Sequence, residues 1–170
     1  MYYFLDTEFT DFRNSQLISL GMVSLDGKNE FYVEVEHDVS KRSAFVSDTI
    51  VPLLNQYFFN PDEASEKLNK WLDLINDGRM EVIYDYGLDA VHFSNLLYRQ
   101  RKVIKRSEPK LKYLNNAIVF EVGNLSDSKL IASKINGFNK FREEYFAKGI
   151  QRHNALVDAK AMLYAWKKIF

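Results

Sequence analysis

The 170-residue chain carries 23 basic and 23 acidic side chains, so no net charge draws it toward polyanions or anionic surfaces. Cysteine is absent, which excludes disulfide scaffolds, thiolate zinc sites and cysteine nucleophiles together, and suits a reducing, cytoplasmic setting. A hydrophobic fraction of 46% argues against disorder, no apolar run approaches the roughly 18–20 residues that span a bilayer, and the start lacks the marks of a secretory signal. The length suits a single domain over residues 1–170, and the aromatic fraction of 15% reads chiefly as a large core.

In chain order, Tyr2, Phe4, Asp6 and Glu8 alternate with Tyr3, Leu5, Thr7 and Phe9, the two-residue period of a strand. Two apolar runs, 17–25 and 31–35, flank an Asp26-Gly27 turn extended by Lys28 and Asn29, which predicts a hairpin. The stretch 37–59 has no clear period and is read as holding short helices. Asn60-Pro61-Asp62-Glu63 is a helix start, with an Asn cap, Pro at the first position and acids in the first turn; Gly78 ends that run. A fourth strand is expected over 81–84, a helix over 88–99, a fifth strand over 117–122, and further helices over 139–148 and 154–168. Three strands followed by strands alternating with helices predict an α/β protein with a mixed sheet of about five strands flanked by helices.

Asp6 and Glu8 stand two apart on a strand, so both carboxylates leave the same face. Crowded acids repel unless a cation lies between them, and hard oxygen ligands suit Mg²⁺ or Mn²⁺. Taken alone, Asp-x-Glu is equally a pair of solvated acids at a strand end. Asp89 begins a helical stripe with Phe93 and Leu96, and Asp158 begins one with Ala161, Met162 and Ala165. Singly, each is a dipole-stabilising acid of a first helical turn, and His153 is an ordinary surface or packed histidine. Together, Asp6, Glu8, Asp89, His153 and Asp158 fall at the strand end and helix starts that a sheet-and-helix fold can bring to one place. Four converging carboxylates call for about two divalent cations, roughly 3.5–4 Å apart, the arrangement that phosphodiester hydrolysis uses. An imidazole beside them can take the proton of the attacking water.

The segments Phe4-Leu5-Asp6-Thr7-Glu8-Phe9, Gly87-Leu88-Asp89 and His153-Asn154-Ala155-Leu156-Val157-Asp158 resemble, in order, the three motifs of the DEDDh exonucleases. His153 separates that branch from the tyrosine-using DEDD enzymes. Asp85 competes with Asp89 for the second motif; Asp89 is preferred because it follows an apolar residue and begins the helix. Within the family, residues 3–9, 17–23, 26–27 and 153–159 resemble the polyadenylate-specific exoribonuclease group, ribonuclease AS. The resemblance implies a ribonuclease H-like fold and a 3′→5′ exoribonuclease that releases nucleoside 5′-monophosphates from single-stranded RNA with two Mg²⁺ ions, for which Mn²⁺ can substitute. It implies that Asp6, Glu8 and Asp158 hold the tighter metal, that Asp6 bridges to the second, that Asp89 binds mainly through water, and that His153 is the base. It further suggests adenylate-rich 3′ ends and a homodimer. Thr7, Phe9 and Thr10 lie where family members contact the terminal nucleotide, although the parity of Phe9 with Leu5 equally fits core packing.

The basic run from Arg99 to Lys112, relieved only by Glu108, reads first as a solvated helix face and second as a phosphate track. Two rival functions are the same chemistry on DNA, which turns on how the pocket treats the 2′-OH, and a non-catalytic nucleic-acid-binding protein, which would ordinarily have lost an acid or the histidine.

Overall fold

Alternation along the first strand gives a sheet with two different faces, and each face acquires its own pair of helices. A computed structural model of the chain describes residues 1–75, 79–104, 119–120 and 137–170. Strands β1 (Tyr2–Phe9), β2 (Leu17–Ser24) and β3 (Glu30–Val35) form an antiparallel meander. The short β4 (Phe58–Phe59) joins β3 in parallel. On the other side, β5 (Arg79–Ile83) runs parallel to β1, and β6 (Val119–Phe120) runs parallel to β5. The spatial order β4-β3-β2-β1-β5-β6 makes a six-stranded mixed sheet among the described residues, with β1 near its centre. The extra strand relative to the sequence reading is β4, whose two residues are too short a run to show a period.

Helices α1 (Pro61–Ile75) and α2 (Gly87–Ile104) cover the face that carries Tyr3, Leu5, Leu20 and Met22, with Leu68, Leu72, Phe93 and Leu97 closing that core. Helices α3 (Phe138–Phe146) and α4 (Ala155–Ile169) cover the opposite face, where Phe4, Val23 and Ile83 pack on Phe138, Ala159 and Met162. The helix starts have local causes. Asn60 accepts from the backbone N–H groups of Asp62 and Glu63, each at 3.0 Å, and Glu63 reaches back to the Asn60 N–H at 3.3 Å, a reciprocal capping box. Asn154 caps α4 by accepting from the Val157 N–H.

Residues 39–53 form short 3₁₀ and π turns, and Val46, Ile50 and Leu54 pack against Ile18. The buried Glu34 on β3 pins the end of that stretch. Its carboxylate accepts from the Asn55 N–H at 2.7 Å, the Tyr57 N–H at 3.1 Å and the Tyr32 hydroxyl at 2.8 Å. The expected fifth strand is present as Val119–Phe120, while 117–118 and 121–122 lie outside the described residues, as do Gly78 and the side chains of the basic run beyond Arg99. Arg99 itself is tied to α1 by a 2.6 Å ion pair with Asp62.

Candidate active site

A cleft of about 350 Å³ opens at the carboxyl end of β1, where the two helical layers meet around the sheet. Parity sends Asp6 and Glu8 to the α4 side with Phe4, while Thr7 goes to the α2 side with Tyr3 and Leu5. From α4, Asp158 enters beside the first pair. Carboxylate oxygens of Asp6, Glu8 and Asp158 all lie within 4.8 Å of one another, and the same holds for Asp6, Asp85 and Asp89. Asp6 belongs to both groups.

Asp89 and Asp85 are distinguished by their partners. Asp89 is 1% exposed and accepts from the Thr7 hydroxyl at 2.7 Å and from the Tyr86 N–H at 3.1 Å. These bonds aim one carboxylate from α2 at the end of β1. Asp85, on the loop before α2, is instead ion-paired with Arg142 of α3. His153 precedes the Asn154 cap with φ 67°, a left-handed conformation uncommon for a residue with a Cβ. Its N–H donates to Asp158 at 2.8 Å and its ring meets Phe45 edge-on at 5.1 Å. The histidine and the acid are therefore locked together through the backbone, independently of what the imidazole does.

Crowding and burial set the electrostatics. Burial, followed by repulsion from Asp89, Asp158 and Glu8, holds the Asp6 carboxyl well above the usual range. Burial and the charges of Asp158 and Asp89 push Glu8 up to about 8. Burial raises Asp89 to about 7 against the opposing Thr7 hydrogen bond, and burial also raises Asp158. A cluster that resists ionisation this strongly on its own fits a set of cation ligands, because a divalent charge reverses every one of those repulsions. The donors are all carboxylate oxygens, which suits a hard divalent cation.

The remaining sequence-predicted residues fall in different places. Phe9 lines the cleft, stacking on Tyr86 with centroids 6.2 Å apart and on His92 at 5.5 Å, so it is both packed and part of the wall. Thr7 also lines the cleft, but its hydroxyl is engaged by Asp89. Thr10 is not brought to the cleft. It is fully buried, and its hydroxyl accepts from the Gln16 N–H at 3.0 Å, closing the 10–16 loop. The fold adds Phe12, Tyr86, Arg142 and Arg152 to the wall. Arg152 adjoins His153 and Phe12 follows the first motif closely, so proximity alone could have suggested them. No local pattern marks Arg142 or Phe45. A larger cleft of about 510 Å³, lined by Ser15, His92 and Asn95 among others, shares none of the carboxylates of either group.

Compared with known families, residues 3–166 match the RNase_T model, described as Exonuclease. The chain belongs to the DEDD exonuclease family. The match runs from β1 into α4, and the fold is accordingly ribonuclease H-like. No curated protein matches the chain. As a DEDD exonuclease domain it is a metal-dependent 3′→5′ nuclease acting on nucleic acid. Members of this family generally use divalent metal ions, and the carboxylate groups around Asp6 have the composition to hold them. No helix among the described residues is long and apolar enough to cross a membrane.

Proposed function

We propose that the protein is a 3′→5′ exoribonuclease of the DEDDh branch that shortens single-stranded RNA from its 3′ end, releasing nucleoside 5′-monophosphates. The observation that carries this reading is the meeting of Asp6, Glu8, Asp89 and Asp158 with His153 at one cleft, from three separate parts of the chain: β1, α2 and the start of α4. Bound Mg²⁺ ions, or Mn²⁺ in their place, would supply the charge neutralisation and Lewis acidity that hydrolysis of a phosphodiester needs. Asp6, Glu8 and Asp158 would hold one ion, and Asp6 with Asp89 the other. Thr7 keeps Asp89 aimed, and the His153 imidazole accepts the proton of the attacking water.

Support for a single-stranded substrate comes from the rim. Phe12 is 70% exposed and Tyr86 44% exposed at the cleft, and Phe45 is 53% exposed beside His153. Exposed rings at an acidic cleft favour unpaired bases, which present faces for stacking, over a duplex that hides them. The preference for RNA, and for adenylate-rich ends, rests on the resemblance of residues 3–9, 17–23, 26–27 and 153–159 to the ribonuclease AS group. The same resemblance supports a homodimer, and the absence of cysteine suits a cytoplasmic location.

The test is a comparison of 5′-labelled RNA and DNA of one sequence with Mg²⁺, Mn²⁺ or EDTA, with Asp158→Ala alongside. A metal-dependent ladder from the 3′ end of the RNA, lost in the variant, is expected. Faster cutting of DNA would replace the substrate with DNA, and no cutting of either strand would overturn the hydrolase reading.

A further inference from the structure

Arg142 has no part in the chemistry assigned above, yet it lines the catalytic cleft. It projects from α3, is paired with Asp85, and both side chains are largely buried, with exposures of 21% and 22%. Among the described residues, Asp85 is its hydrogen-bond partner, through Nη1. A guanidinium carries five N–H donors in a rigid fork, so this single contact leaves donors for the cleft. The charge of Arg142 also reaches Asp158, where it opposes the upward push of burial. The guanidinium therefore lies in the cleft wall beside the Asp85 loop, and its charge is felt at the α4 acid. The other cleft arginine, Arg152, is more exposed at 41%, pairs with the exposed Glu143 and lies over the Phe146 ring at 4.4 Å, so it sits on the rim.

We infer that Arg142 is a phosphate-binding residue that grips the nucleic-acid backbone at the catalytic cleft, and that Asp85 is its positioning residue. Three considerations favour this over simple neutralisation of Asp85. A buried arginine is desolvated at a cost that one carboxylate offsets only in part, and a second anion completes the match. The planar fork accepts a carboxylate on one edge while offering another edge to a phosphate oxygen. The cleft presents four carboxylates to a polyanionic substrate, with Arg152 out on the rim, so a fixed cation inside it orients the strand without a share in the metal ligands. Asp85 then serves the arginine, and Asp89, held by Thr7 and Tyr86, serves the cation. The inference rests on the phosphodiesterase reading of the cleft and is indifferent to the sugar.

The test measures binding apart from turnover. Fluorescence anisotropy of a short labelled single strand is recorded with Ca²⁺ across a salt series, for wild type, R142A, R142K, D85N and the double variant R142A/D85N. Steady-state cleavage with Mg²⁺, Mn²⁺ calorimetry and melting run in parallel. R142A is expected to weaken strand binding and raise KM about 10–100-fold, with a smaller change in kcat. It should lower the slope of log affinity against log salt by about 0.7, the mark of one lost phosphate contact on a single strand. R142K should recover only part of the binding, because the charge remains while the fork that spans Asp85 and the phosphate is lost, and D85N should fall between wild type and R142A. The double variant should bind no better than R142A. Recovery of binding in R142A/D85N would reduce Arg142 to a counter-ion for Asp85 and overturn the proposal. So would an unchanged salt slope in R142A, or a wild type that binds no strand at all. A wild type that binds strands through Arg142 but cuts neither RNA nor DNA would instead sink the nuclease reading and leave the arginine's role standing.

Discussion

Gly21 stands directly across from Asp6 in the β1–β2 ladder, and the empty space above Gly21 is filled by the first turn of α4. A β-carbon there would lie 2.2 Å from the Leu156 backbone nitrogen and 2.4 Å from the Ala155 carbonyl carbon. The missing side chain thus lets the helix that carries Asp158 rest on the sheet beside the strand that carries Asp6 and Glu8. Gly21→Ala should push α4 away. The expected result is a loss of about 1–3 kcal/mol in stability, as for other over-packed cores. Mn²⁺ affinity should fall as well, because the Asp6, Glu8 and Asp158 oxygens separate. Melting and calorimetry on the same sample check both, and unchanged metal affinity would show that the close approach does not set the site.

Without a divalent cation, the acid cluster should make stability fall as pH rises. Glu8 is raised to about 8 and Asp89 to about 7 in the folded protein, above their ordinary values, so the folded state binds more protons than the unfolded state between roughly pH 4 and pH 8. Their contribution is fully present below the ordinary carboxylate range and is lost as pH rises through those folded values. Burial lowers His92 to about 4, which works in the opposite direction below about pH 6.5. The window in which the acids act without opposition from His92 is therefore roughly pH 6.5 to 8. In EDTA, Tm should decline across it, and added Mn²⁺ should flatten or reverse the decline. A flat profile in EDTA would count against the electrostatic account of the cluster.

Asp158→Asn separates function from stability. The amide oxygen can still accept from the His153 N–H, while one buried charge and its repulsion with Asp6 and Glu8 disappear. Melting in EDTA should show a variant at least as stable as wild type, and cleavage should drop by about a thousandfold or more, as when an essential charged group is removed from a catalytic site. A destabilised variant would mean that the carboxylate is held for structure.

His153 occupies a left-handed conformation that glycine adopts freely and that costs other residues about 1 kcal/mol. His153→Gly should therefore keep the fold, with Tm equal to or above that of wild type, while cleavage is lost with the imidazole. His153→Ala should be the less stable of the two. The reverse order of melting temperatures would show that the ring contact with Phe45 outweighs the backbone term.

Glu34 provides the contrast of a buried acid outside the cleft. Its carboxylate accepts two backbone N–H groups and the Tyr32 hydroxyl, so Glu34→Ala leaves three part-buried donors without that acceptor. A loss of about 2–4 kcal/mol is expected from hydrogen bonds to a charged group, read by denaturant unfolding. Activity per folded molecule should change little.

The sequence by itself determined the features that depend on neighbours a few residues apart. The parity of Asp6 and Glu8, the hairpin turn at Asp26-Gly27, the capping box at Asn60 and the cap at Asn154 are all local, and the predicted first strand, the helix after Asn60 and the last helix overlap observed elements at similar bounds within the described residues. The order of acids and histidine was legible for the same reason, since strand ends and helix first turns are where such side chains can converge.

Only the tertiary structure decided which of them meet, and how. Asp89 rather than Asp85 is the buried acid because Thr7, 82 residues away, donates to it, and no period in the chain records that bond. Thr10 looked like a substrate contact from its place after the first motif, but Gln16 and the closing of a loop bury it. Phe45 reaches His153, and Arg142 reaches Asp85, across gaps in sequence that only packing of the two helical layers on one sheet can close. Local propensity repeats every two or four residues, whereas these pairings are set once, by the fold as a whole.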